Sequence, residues 1–315
     1  MADDDIEWDS DDPAAKMVQK IDYYFLFVQC IGVVIELMFL YVMFRNWCMR
    51  ITVLKSTFFY LLTLKTINDL VFMIYVIVID FWWEELEDYY SETQALIYTF
   101  IVETDTLCQF IIAVNRFTAL MTPLRHERIW SSTVTFSVLA IIPCFSVLLS
   151  FINIRLHATS GDVITTLFES HTFILIISSL ILVSIPVMKD FCKSKSTNSN
   201  SISSIELPKI MSTNLRKQKA EKQLLYETIF VCFWKAINTI SNITYQKAEF
   251  SEFGELLLSF IIDVATFTGN VGGLIVLPFI SSVARTGFKQ AFGIKKHGRT
   301  ITVVPGSTKT KLSGH

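Results

Sequence analysis

Apolar residues fall in seven long runs that are separated by polar or turn-rich stretches. A run such as FILIISSLILVSIPV at 173–187 is continuously apolar, which favours a helix over the alternating strand of a membrane barrel. A hydrocarbon core ~30 Å thick needs about 20 mostly apolar residues per helix. The pattern therefore predicts an all-α membrane protein, a seven-transmembrane helix bundle with spans at 23–44, 57–79, 95–121, 133–152, 171–188, 224–245 and 256–282.

Composition supports a membrane protein. Hydrophobic residues make up 52% of the 315 residues and charged residues only 18%, and the mean hydropathy is +0.47. A water-soluble domain carries about 25% charged residues, so this chain has too few of them to cover a soluble globule. The net charge of −2 gives no reason to expect nucleic acid as a partner.

The placement of basic residues predicts the orientation. Of the 27 Lys and Arg residues, 21 fall on one set of loops and the C-terminal tail, and only Lys16, Lys20, Arg155 and Lys247 fall on the other. Since basic loops stay in the cytoplasm, we expect a multi-pass plasma-membrane protein with an extracellular N-terminus. The predicted organisation is an acidic extracellular tail at 1–22, a bundle at 23–282 with a flexible, Ser/Asn-rich cytoplasmic loop at 189–223, and an amphipathic helix with a basic tail at 283–315.

The inner end of the third run carries the most specific motif. It reads NRFTALMTPLRHERIW from Asn115 to Trp130, and Pro123 follows Arg116 by seven residues. This resembles the signature of rhodopsin-like G-protein-coupled receptors, in which Arg and an aromatic residue close the third helix and Pro-Leu follows. The resemblance implies that Arg116, Phe117, Pro123 and Leu124 serve activation and G-protein coupling. The alternative is that Arg116 is an ordinary basic residue at a cytoplasmic helix end.

A second motif of the same receptors follows the seventh run. Pro278 precedes Phe288 by ten residues, and Phe288 and Phe292 are four apart. This resembles the helix kink and short amphipathic eighth helix of those receptors, which lies along the inner leaflet. Asn68-Asp69-Leu70 in the second run also resembles a receptor motif, whereas Asn115 stands where that family has an acidic residue.

The start of the inner-end motif, its proline and the following Glu127-Arg128-Ile129-Trp130 resemble the nematode serpentine chemoreceptors, most closely their gamma group. The resemblance implies a chemosensory receptor that binds an external small molecule. It further implies a heterotrimeric G protein as partner and a location in the cilia of sensory neurons.

Eight ionisable residues lie within the runs or at their edges. Each costs ~2.5–3.5 kcal/mol at a helix centre, so they should face the interior and pair. Lys65 and Asp69 are four apart and share a helix face, and Asp105 lies three turns before Arg116, near the same depth. We predict an intramembrane polar core of these three residues, which acts either as a lock between helices or as a switch. The eight are Glu36, Lys65, Asp69, Glu103, Asp105, Glu227, Lys235 and Asp263.

The ligand pocket is predicted from the remaining polar groups. Glu103, Lys235 and Asp263 offer polar contacts in an otherwise apolar interior, and Tyr98 lies near the outer mouth. Aromatic residues at that depth also serve as anchors at the membrane interface, which is the alternative for Tyr98.

Two other function classes compete with a receptor. A charged interior also suits a transporter or a ligand-gated ion channel, although the internal repeats and broken helix pairs of many transporters are not evident. A metal-dependent membrane enzyme would need clustered ligands, and none of the five histidines lies in a run with metal-ligand spacing. We expect no enzymatic activity, no cofactor and no metal.

Overall fold

The computed structural model describes residues 13–49, 54, 56–86, 91–160, 162–197, 209–248 and 250–294, and within these residues the only regular secondary structure is helical. An all-helical fold is therefore confirmed for the described part of the chain. The helices are α1 (Pro13–Cys48), α2 (Thr57–Leu86), α3 (Ser91–Met121), α4 (Pro123–Ile129), α5 (Ser132–Ser160), α6 (Asp162–Thr197), α7 (Lys209–Lys247), α8 (Glu252–Phe267), a π-helical turn (Thr268–Gly272), α9 (Gly273–Ile280) and α10 (Ser282–Ala291).

Six stretches of helix are long and apolar enough to cross a membrane. They agree with six of the seven predicted runs to within a few residues, which confirms those runs as membrane-type helices. Large apolar side chains on their outer faces are exposed, as lipid contact requires. The six stretches are Tyr23–Cys48, Thr57–Ile79, Thr93–Met121, Ser132–Arg155, Ser170–Lys189 and Phe253–Ile280.

The predicted run at 224–245 lies inside α7, which is not among those six. Glu227, Lys235 and several amide and hydroxyl side chains interrupt its apolar surface, and the half of α7 before it is strongly polar. The run is nevertheless helical throughout and packs against α3, α6, α8 and α9. Its membrane crossing stays a prediction.

Helix α3 lies at the centre of the bundle and packs against α2, α5, α6 and α7. The main apolar core fills the end of the bundle at which α1 finishes and α2 starts. There, Phe39 and Met43 of α1 meet Phe58 and Phe59 of α2 and Leu277 of α9. Each of these side chains is almost completely buried.

The last apolar stretch is not a uniform α-helix. The π-helical turn Thr268–Gly272 separates α8 from α9, and α9 contains Pro278 and ends at Ser281, whose backbone is extended. The Ser281 side chain then caps α10 by accepting from the Ala284 N–H. Pro278 removes one backbone donor near the end of α9, and the extended backbone of Ser281 then turns the chain into α10.

Helix α10 is held against α1. The ring of Phe288 lies 6.4 Å from that of Phe39, and Phe292 lies 6.2 Å from Tyr41. Asn46 Nδ2 donates to the Gly287 carbonyl oxygen at 3.2 Å. The two phenylalanines that sequence spacing placed on one helix edge therefore both contact α1.

The predicted boundaries differ from the observed helices in two places. Residues 13–22, predicted as part of the tail, belong to α1, and α6 and α7 extend into the predicted loop over 189–197 and 209–223. Residues 1–12 of the tail, 198–208 of the loop and 295–315 of the basic tail lie outside the described residues.

Candidate functional site

Lys65 on α2 lies between two carboxylates. Its ammonium group contacts Asp69 one turn further along the helix, and its Nζ is 3.4 Å from Asp105 Oδ1 on α3. Lys65 and Asp69 are only 3% and 2% exposed. Buried charges are costly unless they are paired, so these contacts explain how the bundle accommodates them. The structure thus brings together the three residues that sequence spacing assigned to one polar core.

Helix α7 adds a second ammonium group to this core. Lys235 Nζ lies 2.5 Å from Asp105 Oδ2 and donates to the side-chain oxygen of Asn270 in the π-helical turn. Asp105 therefore bridges lysines from α2 and α7. We call Lys65, Asp69, Asp105 and Lys235 the charge cluster; its two positive and two negative charges balance.

Gly269 allows Lys235 to reach the charge cluster. A Cβ atom at Gly269 would lie 3.2 Å from Cε of Lys235 and 3.3 Å from its Cδ. Any side chain there would crowd the methylene stem of the lysine. The missing side chain of Gly269 thus leaves the space through which Lys235 approaches Asp105.

A cavity of about 260 Å³ lies beside the charge cluster, at the end of the bundle where α1 and α3 begin. Asp69, Asp105 and Lys235 form part of its wall, with amide and hydroxyl side chains around them. The remainder is largely apolar. The principal apolar lining residues are Phe25, Phe72, Met73, Ile101, Ile176 and Phe267.

Three of the four residues predicted for a ligand pocket line this cavity, namely Tyr98, Lys235 and Asp263. Asp263 makes a polar or electrostatic interaction of its own. Glu103 is not among the lining residues: it is 2% exposed and its Oε2 lies 3.8 Å from His171 Nδ1 on α6. Its position on the face of α3 that turns toward α6 separates it from the other three.

Two further acidic side chains are buried nearby. Glu36 on α1 is fully buried, and neither of its carboxylate oxygens has a hydrogen-bond partner among the described residues. Glu227 on α7 is 3% exposed, and its Oε2 accepts a long hydrogen bond of 3.4 Å from Thr228. The sequence places both acids inside apolar runs, but it does not indicate their surroundings.

Arg116 joins three helices at the opposite end of the bundle from the cavity. Its guanidinium contacts Glu221 on α7 and the side chain of neighbouring Asn115. Its Cζ also lies 4.3 Å from the ring centre of Phe58 on α2. A planar guanidinium can stack on an aromatic ring while it donates hydrogen bonds within its plane, which explains how Arg116 is accommodated at 2% exposure.

The residues after Arg116 form a tight helical turn. Pro123 is the first residue of α4, where a missing N–H has no cost. Trp130 Nε1 donates to Thr118 Oγ1 at 2.9 Å, so the end of α4 is tied back to α3. This leaves Leu124 94% exposed, while Phe117 is half-buried.

The same two helices connect the cavity with the Arg116 end. On α3, Asp105 and Arg116 are eleven residues apart, or roughly 16 Å along the helix at 1.5 Å per residue. On α7, Lys235 and Glu221 are fourteen residues apart, or roughly 21 Å. Helices α3 and α7 thus form two ion pairs with each other, Asp105–Lys235 at the cavity and Arg116–Glu221 at the far end. A relative movement of the two helices changes both pairs.

Sequence reasoning missed the partners that come from α7 and the π-helical turn. Glu221 lies in a polar segment that was predicted as loop, and Asn270 lies in an apolar run without any motif. Asn115 precedes Arg116 where an acid would be expected, and a buried arginine requires a carboxylate partner. The sequence therefore indicated that another helix supplies this carboxylate, but not which helix.

No family model matches the chain, and a search of curated proteins also found no match.

Proposed function

We propose that this protein is a chemosensory G-protein-coupled receptor of the nematode serpentine type, from the gamma group or a close relative of it. In this proposal an external small molecule binds in the cavity, and a heterotrimeric G protein binds at the Arg116 end. The protein would lie in the plasma membrane of sensory neuron cilia. The motifs around Arg116 and Pro278 support this assignment, together with the six membrane-type helices.

The proposal takes the run at 224–245 in α7 as the sixth of seven membrane spans, which brings the six membrane-type stretches to seven, and α10 as the amphipathic eighth helix. The run at 224–245 packs among membrane-type helices, and Lys235 within it is only 7% exposed. Its charge is paired with Asp105, which removes the main obstacle to placing α7 in a bilayer. On α10, Arg285 and Lys289 suit anionic headgroups, while Phe288 packs toward α1.

The observation that carries the proposal is the pairing of α3 with α7 at both ends of the bundle. A receptor requires a ligand site and an effector site that report on the same conformational equilibrium. Here Lys235 and Asp105 line the cavity, and Glu221 and Arg116 pair at the far end. A ligand that shifts α7 would separate Glu221 from Arg116 and expose Arg116 at the end of the bundle that also carries Leu124.

Nucleotide exchange on a purified G protein tests this proposal. Membranes that contain the full chain are mixed with each G-protein class, and the binding of a non-hydrolysable GTP analogue is measured. Glu221→Ala should raise basal exchange roughly fivefold, because about 1 kcal/mol in a two-state equilibrium changes the ratio of states by that factor. Arg116→Ala and Leu124→Asp should abolish exchange at normal surface expression.

Arg128→Ala is the matched control, since Arg128 is an exposed basic residue on the same α4 helix. It should leave exchange unchanged. Exchange by both Arg116→Ala and Leu124→Asp at the level of the unaltered protein would contradict the assignment of this surface.

The orientation is tested separately. The distribution of Lys and Arg predicts that an epitope tag before Ile6 is accessible on intact cells and that one after Lys311 is not. The reverse pattern would rule out G-protein coupling at the Arg116 end.

An ion transporter or channel is the second candidate, and the buried acids Glu36 and Glu227 favour it. Both are almost completely buried, and acids within a membrane bundle often mark a proton or ion path. Proteoliposomes that contain the protein without any G protein distinguish the two functions. Proton or cation currents that disappear in Glu36→Gln and Glu227→Gln would support transport over signalling.

A further inference from the structure

The described contacts of Lys235 leave one of its hydrogen-bond donors unused. A lysine ammonium has three N–H donors. The described contacts of Lys235 occupy two of them, one with Asp105 and one with Asn270. Because Lys235 also lines the cavity, a bound molecule can accept from the third.

An acceptor without a partner lies close to that donor. Asp105 Oδ1 has no hydrogen-bond partner among the described residues, although it lies 3.4 Å from Lys65 Nζ. This oxygen is closed to solvent, so a bound molecule meets the cluster through Lys235, whose third N–H can donate to either a hydroxyl or a carbonyl oxygen. Both kinds of head group suit this wall of the cavity.

The charge balance disfavours ionic ligands. Two lysines and two aspartates of the cluster neutralise one another. A carboxylate would have to displace Asp105 from Lys235. An ammonium group would have to displace a lysine from Asp69 or Asp105, or compete with the interaction that Asp263 in the cavity wall already makes. Breaking a buried ion pair in this way is strongly unfavourable. An uncharged head group leaves both pairs in place.

We propose that the cavity binds a small, uncharged, amphipathic molecule whose hydroxyl or carbonyl group accepts a hydrogen bond from Lys235 and whose hydrocarbon part packs against Phe72, Ile176 and Phe267. The volume of about 260 Å³ is below the range of sites for drug-sized ligands, so the ligand is smaller than those. This inference rests on the proposed function for its biological meaning, but the binding itself does not require a G protein.

Five seven-carbon probes test the ligand class: 2-heptanone, 2-heptanol, heptane, heptanoate and heptylammonium. Binding is measured at pH 7 on the full chain in lipid nanodiscs without G protein, and partition into empty nanodiscs is subtracted. The ketone and the alcohol should bind at least tenfold more tightly than heptane, about 1.4 kcal/mol. Each should bind at least a hundredfold more tightly than either ion. Tightest binding of heptanoate or heptylammonium would overturn the proposal.

Two charge-balanced double variants test the anchor. Lys235→Met/Asp105→Asn removes the proposed donor and keeps the Lys65–Asp69 pair. Lys65→Met/Asp69→Asn is its matched control, because it keeps Lys235 with Asp105. The preference for ketone over heptane should disappear in the first variant and persist in the second. Its persistence in the first variant would show that Lys235 is not the anchor.

A cavity-filling variant locates the binding. Val76 lines the cavity, so Val76→Trp fills part of it, whereas Val134→Trp places the same side chain on an exposed face of α5. Only Val76→Trp should abolish binding of 2-heptanone. Equal binding by both variants, or no binding by the unaltered protein, would overturn the proposal. Normal binding without nucleotide exchange would instead contradict the receptor function alone.

Discussion

The charge cluster makes a quantitative prediction about folding. Lys65→Met leaves Asp69 without its cation, while Asp105 keeps Lys235. Removing one partner of a buried ion pair costs about 3–5 kcal/mol, because the other charge is left buried. Solvent screens this pair very little, since the Lys65 and Asp69 side chains are only 4% and 3% exposed, so the full cost applies. We therefore expect Lys65→Met to lower the free energy of unfolding by that amount.

The double variant Lys65→Met/Asp69→Asn should lose less than the single variant. No charge is left unpaired, and the remaining cost is that of one poorly satisfied buried amide, about 1–3 kcal/mol. Adding Asp105→Asn should bring the large loss back, because Lys235 then lacks a carboxylate. The free energy of unfolding should thus be low for the single variant, higher for the double variant and low again for the triple variant.

Unfolding of the full chain in mixed detergent micelles, followed by circular dichroism, measures these free energies. Equal stability of the single and double variants would show that Lys65 and Asp69 are not energetically coupled. A triple variant as stable as the double would show that Lys235 does not depend on Asp105. Either result would refute the reasoning from charge balance.

Two further predictions concern close packing at glycines. A Cβ at Gly273 would lie 2.5 Å from Val231 Cγ2 on α7, so Gly273→Ala should lower the melting temperature, and Val231→Ala should restore part of it by removing the obstructing methyl group. A Cβ at Gly287 would lie 2.6 Å from Leu54 Cδ1; Gly287→Ala should therefore increase protease cleavage near α10, and adding Leu54→Ala should reduce it. Failure of the second substitution to compensate in either pair would show that the contact does not limit the packing.

The sequence by itself determined the elements with local causes. Continuous apolar runs of about 20 residues define membrane-type helices because a helix satisfies all its backbone hydrogen bonds within its own segment, and six of these runs are confirmed. The Lys65–Asp69 contact is equally local, since residues four apart share one helix face. Pro123 and Pro278 mark a helix start and a region of helix interruption because proline lacks an N–H.

Only the tertiary structure decided which helices share their buried charges. Lys235 meets Asp105, and Glu221 meets Arg116, across sequence separations of more than a hundred residues. Such contacts depend on the rotation and axial shift of whole helices, which the periodicity of one helix does not encode. The rotation of α3 likewise turns Glu103 toward α6 and away from the cavity that Lys235 and Asp263 line. A polar residue in an apolar run must face the interior, but the packing of its neighbours decides what it meets there.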